Sequence, residues 1–278
     1  VLADFAVMNI QDASDGAVSA TATPGAVGAI VNETVTNSPI SVSGNSTTAQ
    51  ATINSALNTL SLTGASALNA TAGLVNSQSN TAAGSAAATV QFGSVGAIVF
   101  DGVSGSPLNV SGNSYVATAA GNTATNALNA TSSSVYGVSG SQAIGGAVVG
   151  GNTAQADYAV LNVQNNNAGI AATAQNLAIG VLSGGPGTGG SNMSVTNNIV
   201  SASATGNRAV NSIGLSSVAG TLPSASLTSA QSNTASVTAT VSGVVIGIGA
   251  GGVGGSNAVV SGNNISATAI GNSARGTI

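Results

Sequence analysis

The chain repeats itself at an offset of 153 residues. Ala3-Asp4-Phe5-Ala6-Val7-Met8-Asn9-Ile10-Gln11 returns as Ala156-Asp157-Tyr158-Ala159-Val160-Leu161-Asn162-Val163-Gln164, and Gln78-Ser79-Asn80-Thr81-Ala82 returns as Gln231-Ser232-Asn233-Thr234-Ala235. A chain that repeats at fixed spacing folds as stacked units, each burying its face against its neighbours. The repeat divides the sequence into halves 1–153 and 154–278, read as one continuous array.

A finer repeat runs inside each half. Four segments begin at Asn45, Asn113, Asn198 and Asn263, and nine residues later each has a second asparagine: Asn54, Asn122, Asn207 and Asn272. Between them stand paired alanines, Ala49 and Ala51, Ala117 and Ala119, Ala202 and Ala204, Ala267 and Ala269. Side chains alternate faces along a strand, so alanines two apart share one face. A face restricted to alanine lies close to an opposing wall, so these residues are expected to line a narrow interior. The asparagines are expected at the corners, where left-handed backbone is tolerated, and stacked corner asparagines can hydrogen-bond as a ladder. Helix is disfavoured by the Gly, Asn and β-branched content and by the lack of a 3.6-residue stripe.

A second segment type alternates with the first. It is anchored by Gln11, Gln78, Gln164 and Gln231 and followed by an aliphatic run such as Val95-Gly96-Ala97-Ile98-Val99. Eight segments account for the chain. One coil per segment predicts a stack of roughly 40 Å at about 4.8 Å per rung, and two coils per segment twice that. Both remain open at this point. The fold class expected is all-β, a β-solenoid of Asn/Ala/Gly-rich coils in two tandem periods of 153 residues.

Composition narrows the function classes. Only 3% of residues are charged and 2% aromatic, with two arginines against six acids. Nucleic-acid binding and a polybasic membrane contact need cations that are missing here. So much Gly, Ser and Asn also suits a disordered chain, but 43% hydrophobic content in a regular repeat favours small-residue β-structure. Without cysteine there are no disulfides or thiolate metal sites, and no metal or cofactor is expected. No apolar run reaches the length of a membrane span. The opening Val1-Leu2-Ala3-Asp4 carries no basic leader, and a mature or trimmed product is expected. Low charge with abundant Asn, Ser and Thr suits a secreted, extracellular surface protein.

Few residues can support chemistry. Asp12 and Asp15 are the only close carboxylates, the pair a polysaccharide-cleaving enzyme would need. They have no counterpart at Asn165 to Ala168, so a solvated turn is the expectation and no enzyme is predicted. Gly247 to Gly252 matches a dinucleotide-type glycine pattern but lacks the following acidic residue, and it reads as a glycine-rich turn. Ser183 to Gly190 reads as a loop protruding from the wall. Asp4 and Asp157 recur in register and read as solvated edge residues that limit sideways aggregation. Tyr115, Tyr136 and Tyr158 are possible glycan contacts, though too scattered to form a stripe. Thr47, Thr118 and Thr268 read as sharing no repeat position, which argues against a flat threonine binding face.

The pattern Ser-Gly-Asn…Ala-Thr-Ala…Gly-Asn-x-Ala, at Ser111 to Ala124 and Ser261 to Ala274, resembles the holdfast-anchor proteins of stalked alphaproteobacteria, the HfaD-like group. Gly121-Asn122-Thr123-Ala124 and Gly271-Asn272-Ser273-Ala274 are also similar to the core of curlin repeats, without their flanking glutamines. Either resemblance implies an extracellular structural or adhesive role. The last segment closes on a repeat position, Ile278, without a capping element. The resulting expectation is a fibre subunit on the cell surface that stacks head to tail on copies of itself and serves in attachment or matrix, with a cell-surface or matrix polysaccharide as a further partner. The alternatives are a polysaccharide- or ice-binding module and a curli-like amyloid subunit.

Overall fold

A computed structural model describes the chain except residues 1–2, 15, 66–67, 82–83, 133–137, 140–145, 150, 186–187, 218–222 and 252–254. The described residues form strands and no helix. Among the described residues all strand pairs but one are parallel, and equivalent residues sit side by side. Phe5 pairs with Ala72, Ala72 with Tyr158, and Tyr158 with Ala225. The chain therefore crosses the same set of sheets four times, in passes that begin at these four residues. Each pass takes one glutamine segment and one asparagine segment, so a segment is half a pass. Four strands at about 4.8 Å make these sheets roughly 19 Å across, shorter than either length expected from the repeat.

Three sheets carry the architecture. The Gln sheet joins Phe5–Ala13, Ala72–Asn80, Tyr158–Asn166 and Ala225–Asn233. The alanine–glycine sheet joins Ala17–Ala22 and Gly25–Val31 with Ser85–Gln91 and Gly93–Val99, and both with the longer Gly169–Ser183 and Val237–Ala250. The long sheet joins Ser46–Gly64, Ser114–Ser132, Ile199–Ser217 and Asn264–Thr277. Each takes strands from both halves of the sequence.

The long sheet serves two cores because it changes which side faces inward. In its first strand the inward residues are Ala49 and Ala51, then Asn54, Ala56 and Asn58. The switch falls at Ile53, Gly121, Gly206 and Gly271, the one position skipped in the pairing. All four strands skip the same position, so none has a residue extra to its neighbour; this shared bulge re-aims the strands together without ending them. Before the bulge, Ala49, Ala51, Ala117, Ala119, Ala202 and Ala204 are buried in one cluster with Ala86, Ala88, Ala172 and Ala174 of the alanine–glycine sheet. Methyl groups thus line both walls of this cluster. Ala267 and Ala269 continue the rows but are exposed, since no described strand covers the last pass. After the bulge, Leu60, Leu128 and Ile213 pack on Leu74, Tyr158 and Val160 of the Gln sheet.

The offset of 153 residues is two passes, and side-chain size explains why. One inward row reads Phe5, Ala72, Tyr158, Ala225, large alternating with small. At the preceding corner Thr71 donates from its backbone N–H and hydroxyl to Asp4 at 2.8 and 3.0 Å. Ser224 does the same to Asp157 at 3.0 and 2.8 Å. The recurring aspartates are thus corner clips between passes, Asp4 exposed and Asp157 half-buried. The second pass is longer because of an insertion that includes the antiparallel hairpin Gly146–Val149 with Asn152–Gln155.

Candidate functional site

The distinctive chemistry of the interior is amide. Asn45 donates to Asn113 at 2.9 Å, Asn113 to Asn198 at 3.0 Å and Asn198 to Asn263 at 2.9 Å. Asn54, Asn122, Asn207 and Asn272 form a second ladder at 2.9, 2.8 and 2.8 Å. The first set stands at a corner, directly after left-handed Gly44, Gly112, Asn197 and Gly262. The second set lies within the long strands, directly after the bulge. Both mark changes of direction, but only the first sits at a break between strands.

Further ladders lie between the Gln and long sheets. Asn58, Asn126 and Asn211 bond in sequence at 2.8 and 2.7 Å. Asn80, Asn166 and Asn233 do so at 2.9 and 2.6 Å. The glutamines run the other way: Gln78 donates to Gln11, Gln164 to Gln78 and Gln231 to Gln164, at 2.7, 2.7 and 2.6 Å.

The two sheets also clamp each other reciprocally. Each Gln donates to the carbonyl following an Asn of the long sheet: Ser55, Thr123, Arg208 and Ser273. Each Asn donates to the carbonyl following the Gln of the next pass, as Asn54 to Ser79, Asn122 to Asn165 and Asn207 to Ser232. A buried amide left unpaired costs about 1–3 kcal/mol, so these ladders are what allow polar rows inside the stack. One of them, the Asn58–Asn126 ladder, ends a pass early at Asn211, whose Nδ2 has no partner because Gly276 takes the asparagine place in the last pass.

The ladders leave complementary groups on the two outer passes. Among the described residues, one N–H of Gln11 and the Oδ1 atoms of Asn45 and Asn54 have no partner on the first pass. On the last pass the same is true of Oε1 of Gln231, one N–H of Asn263 and both of Asn272. Every acidic residue precedes Tyr158 and both arginines, Arg208 and Arg275, follow it. The stack is thus acidic toward the first pass and basic toward the last.

Two glycine rows extend the same contrast. A Cβ at Gly121 would stand 2.5 Å from the Gly206 carbonyl oxygen, and one at Gly206 2.5 Å from that of Gly271. Gly28, Gly96 and Gly180 form a second such row, each blocked by the carbonyl of the next glycine. In the last pass, Gly247 meets nothing and Gly271 only the Asn233 amide at 3.8 Å. Both keep glycine where no strand of the chain demands it. The outward side of the second row is an open apolar groove of about 530 Å³, edged by Ile30, Ile98 and Leu182.

The remaining candidates fall differently. Tyr115 and Tyr158 are buried, with hydroxyls that have no hydrogen-bond partner. Burial pushes both phenols up to about 12, aided at Tyr158 by Asp157 and Asp4. Tyr136 and Asp15 lie outside the described residues. Asp12 projects outward from the Gln sheet. Ser183 to Gly190 is not a free loop where it is described: Gly184 bonds the Val99 carbonyl at 2.9 Å, and Thr188–Gly189 pairs with Val103–Ser104. Gly247 to Ala250 is strand. Thr118 and Thr268 share a row through Ser203, contrary to the reading from spacing. Sequence reasoning missed a full threonine row, Thr21, Thr89, Thr173 and Thr240, facing outward from the alanine–glycine sheet. Among the described residues no His, Cys, Asp or Glu converge in a group of three.

Comparison with known families, with curated proteins and with solved structures returned no match.

Proposed function

We propose that the chain is a β-solenoid subunit that stacks head to tail on copies of itself, as a structural element of an extracellular bacterial fibre or adhesive anchor. The observation that carries this reading is the complementarity of the two outer passes. If the first pass of a second copy is set on the last, Asn263 and Asn272 donate to Asn45 and Asn54, and Gln11 donates to Gln231. Phe5 of the second copy then follows Ala225, which continues the large–small row. The carbonyl of Gly28 takes the space kept open at Gly247. Opposite charge at the two ends favours this arrangement over head-to-head contact, weakly at physiological salt where screening acts within about 8 Å. Parallel strand edges, with unpaired backbone groups along their length, supply the main attraction. Electron microscopy and light scattering of the purified chain over rising concentration test the proposal. Rods whose length grows with concentration are expected, and a monomer at every concentration refutes it.

A second reading has one observation in its favour. Thr21, Thr89, Thr173 and Thr240 present hydroxyl and methyl groups at the strand spacing of about 4.8 Å. Such a row suits a ligand with a similar repeat, a polysaccharide surface or ordered water. Replacing Thr89 and Thr173 with valine abolishes glycan retention or ice shaping on this reading and leaves assembly untouched on the first.

A further inference from the structure

The outward face of the Gln sheet carries three columns that are apolar in most passes: Ala6, Gly73, Ala159; Met8, Val75, Leu161; and Ile10, Ser77, Val163, Ala230. Over the middle passes this face is covered. Ala154 of the inserted hairpin is buried in one cluster with Val75, Ala159, Leu161 and Val163, against which Ala230 packs. The first pass lacks that cover. Met8 is 61% exposed and Ile10 63%, although they stand in the same columns as buried Val75, Leu161 and Val163.

The hairpin is also off-centre. Its strand Gly146–Val149 lies against the second- and third-pass strands of the Gln sheet, and Asn152–Gln155 against the third and fourth. Its outer edge therefore stands over the last pass. A second copy stacked there would bring its own Met8 and Ile10 to within about one strand spacing of that edge.

We propose that the hairpin is a strap between subunits, covering Met8 and Ile10 of the copy that follows. The inference rests on the stacking reading and adds a second contact to it. The chain itself shows what covers these columns, namely this hairpin, and only the first pass is left for another copy to cover. The strap is a second layer laid across the joint. It lets the joint hold by apolar burial as well as by edge pairing.

The full chain provides a cysteine-free background for the test. Chains carrying Met8→Cys alone are mixed with chains carrying Gln155→Cys alone and mildly oxidised, so that any mixed disulfide links two molecules. The expected result is a mixed dimer in excess over either like pair. In parallel, M8S/I10S is expected to raise the concentration needed for assembly by about 30- to 100-fold, from the lost burial of two large side chains. Both positions are exposed, so the monomer's thermal unfolding should be unchanged. Rods that form at the parental concentration in M8S/I10S, with no excess of mixed dimer, overturn the strap while leaving stacking intact. A parent chain that stays monomeric throughout overturns both.

Discussion

Gly206 and Gly271 occupy one row of the stack, and alanine should act oppositely at the two. At Gly206 the new Cβ would lie 2.5 Å from the Gly271 carbonyl oxygen and 2.6 Å from Oδ1 of Asn233. An ordinary carbon–oxygen contact is about 3.3 Å or longer. The methyl must therefore push the last pass away by several tenths of an ångström, against parallel pairing and the Asn166–Asn233 ladder. Neither blocking group is the end of a flexible side chain, since the Asn233 amide is fixed by its own bonds. The cost belongs at the upper end of overpacking, about 3 kcal/mol. At Gly271 the nearest group is 3.8 Å away, and folding stability should stay within about 0.5 kcal/mol of the parent. If a second copy's first pass follows, the Ile53 carbonyl takes the blocking place and the same penalty moves to the joint. A loss of about 3 kcal/mol there weakens association about a hundredfold. Urea unfolding of the dilute monomer measures the first effect, and sedimentation over a concentration series measures the second. A G206A chain as stable as the parent, or a G271A chain that assembles like the parent, would refute the reasoning.

Three further outcomes follow from the interior. Asn122→Ala strips three bonds from a fully buried ladder position and leaves Oδ1 of Asn207 without its donor, while the Asn54 amide keeps Ser79 and Asn80, so urea unfolding should show a loss of about 2–4 kcal/mol. Phe92 holds a left-handed backbone, φ 55°, at the corner where later passes have Asn176 and Gly243; with a 58% exposed side chain, Phe92→Asn should gain about 0.5–1 kcal/mol and raise the melting temperature. The two buried phenols keep their protons in the folded state up to about pH 12 but lose them near 10 when unfolded, so stability is complete below pH 10 and falls as pH rises toward 12. Denaturant midpoints followed beside phenolate absorbance should show this, and two phenols titrating near 10 in the folded chain would contradict it.

The parts of the architecture legible in the sequence are those fixed by one position in the pass. The spacing of Asn45 to Asn54 and of the paired alanines survives unchanged in all four long strands, because no corner of variable length interrupts them. Rows that lie beyond a corner lose that regularity. The threonine row falls ten, eleven, nine and nine residues after its glutamine anchors, since the turns leading into the alanine–glycine sheet differ in length. The number of residues per pass was hidden for another reason. A Gln segment and an Asn segment each satisfy the pattern of a whole repeat unit, and only the pairing of Gln11 with Gln78 shows that two make one pass. Tyr115 and Tyr158, exposed by expectation, are buried because each inward row has room for a ring where its neighbour in the row or the facing wall is small.

The alternation of Phe5, Ala72, Tyr158 and Ala225 also restricts how such a protein can change in length. Duplicating a single pass would set ring on ring or methyl on methyl and leave one aspartate clip without its hydroxyl. Unequal crossing-over that copies two passes preserves every neighbour, so descendants of this chain should grow or shrink by pairs of passes.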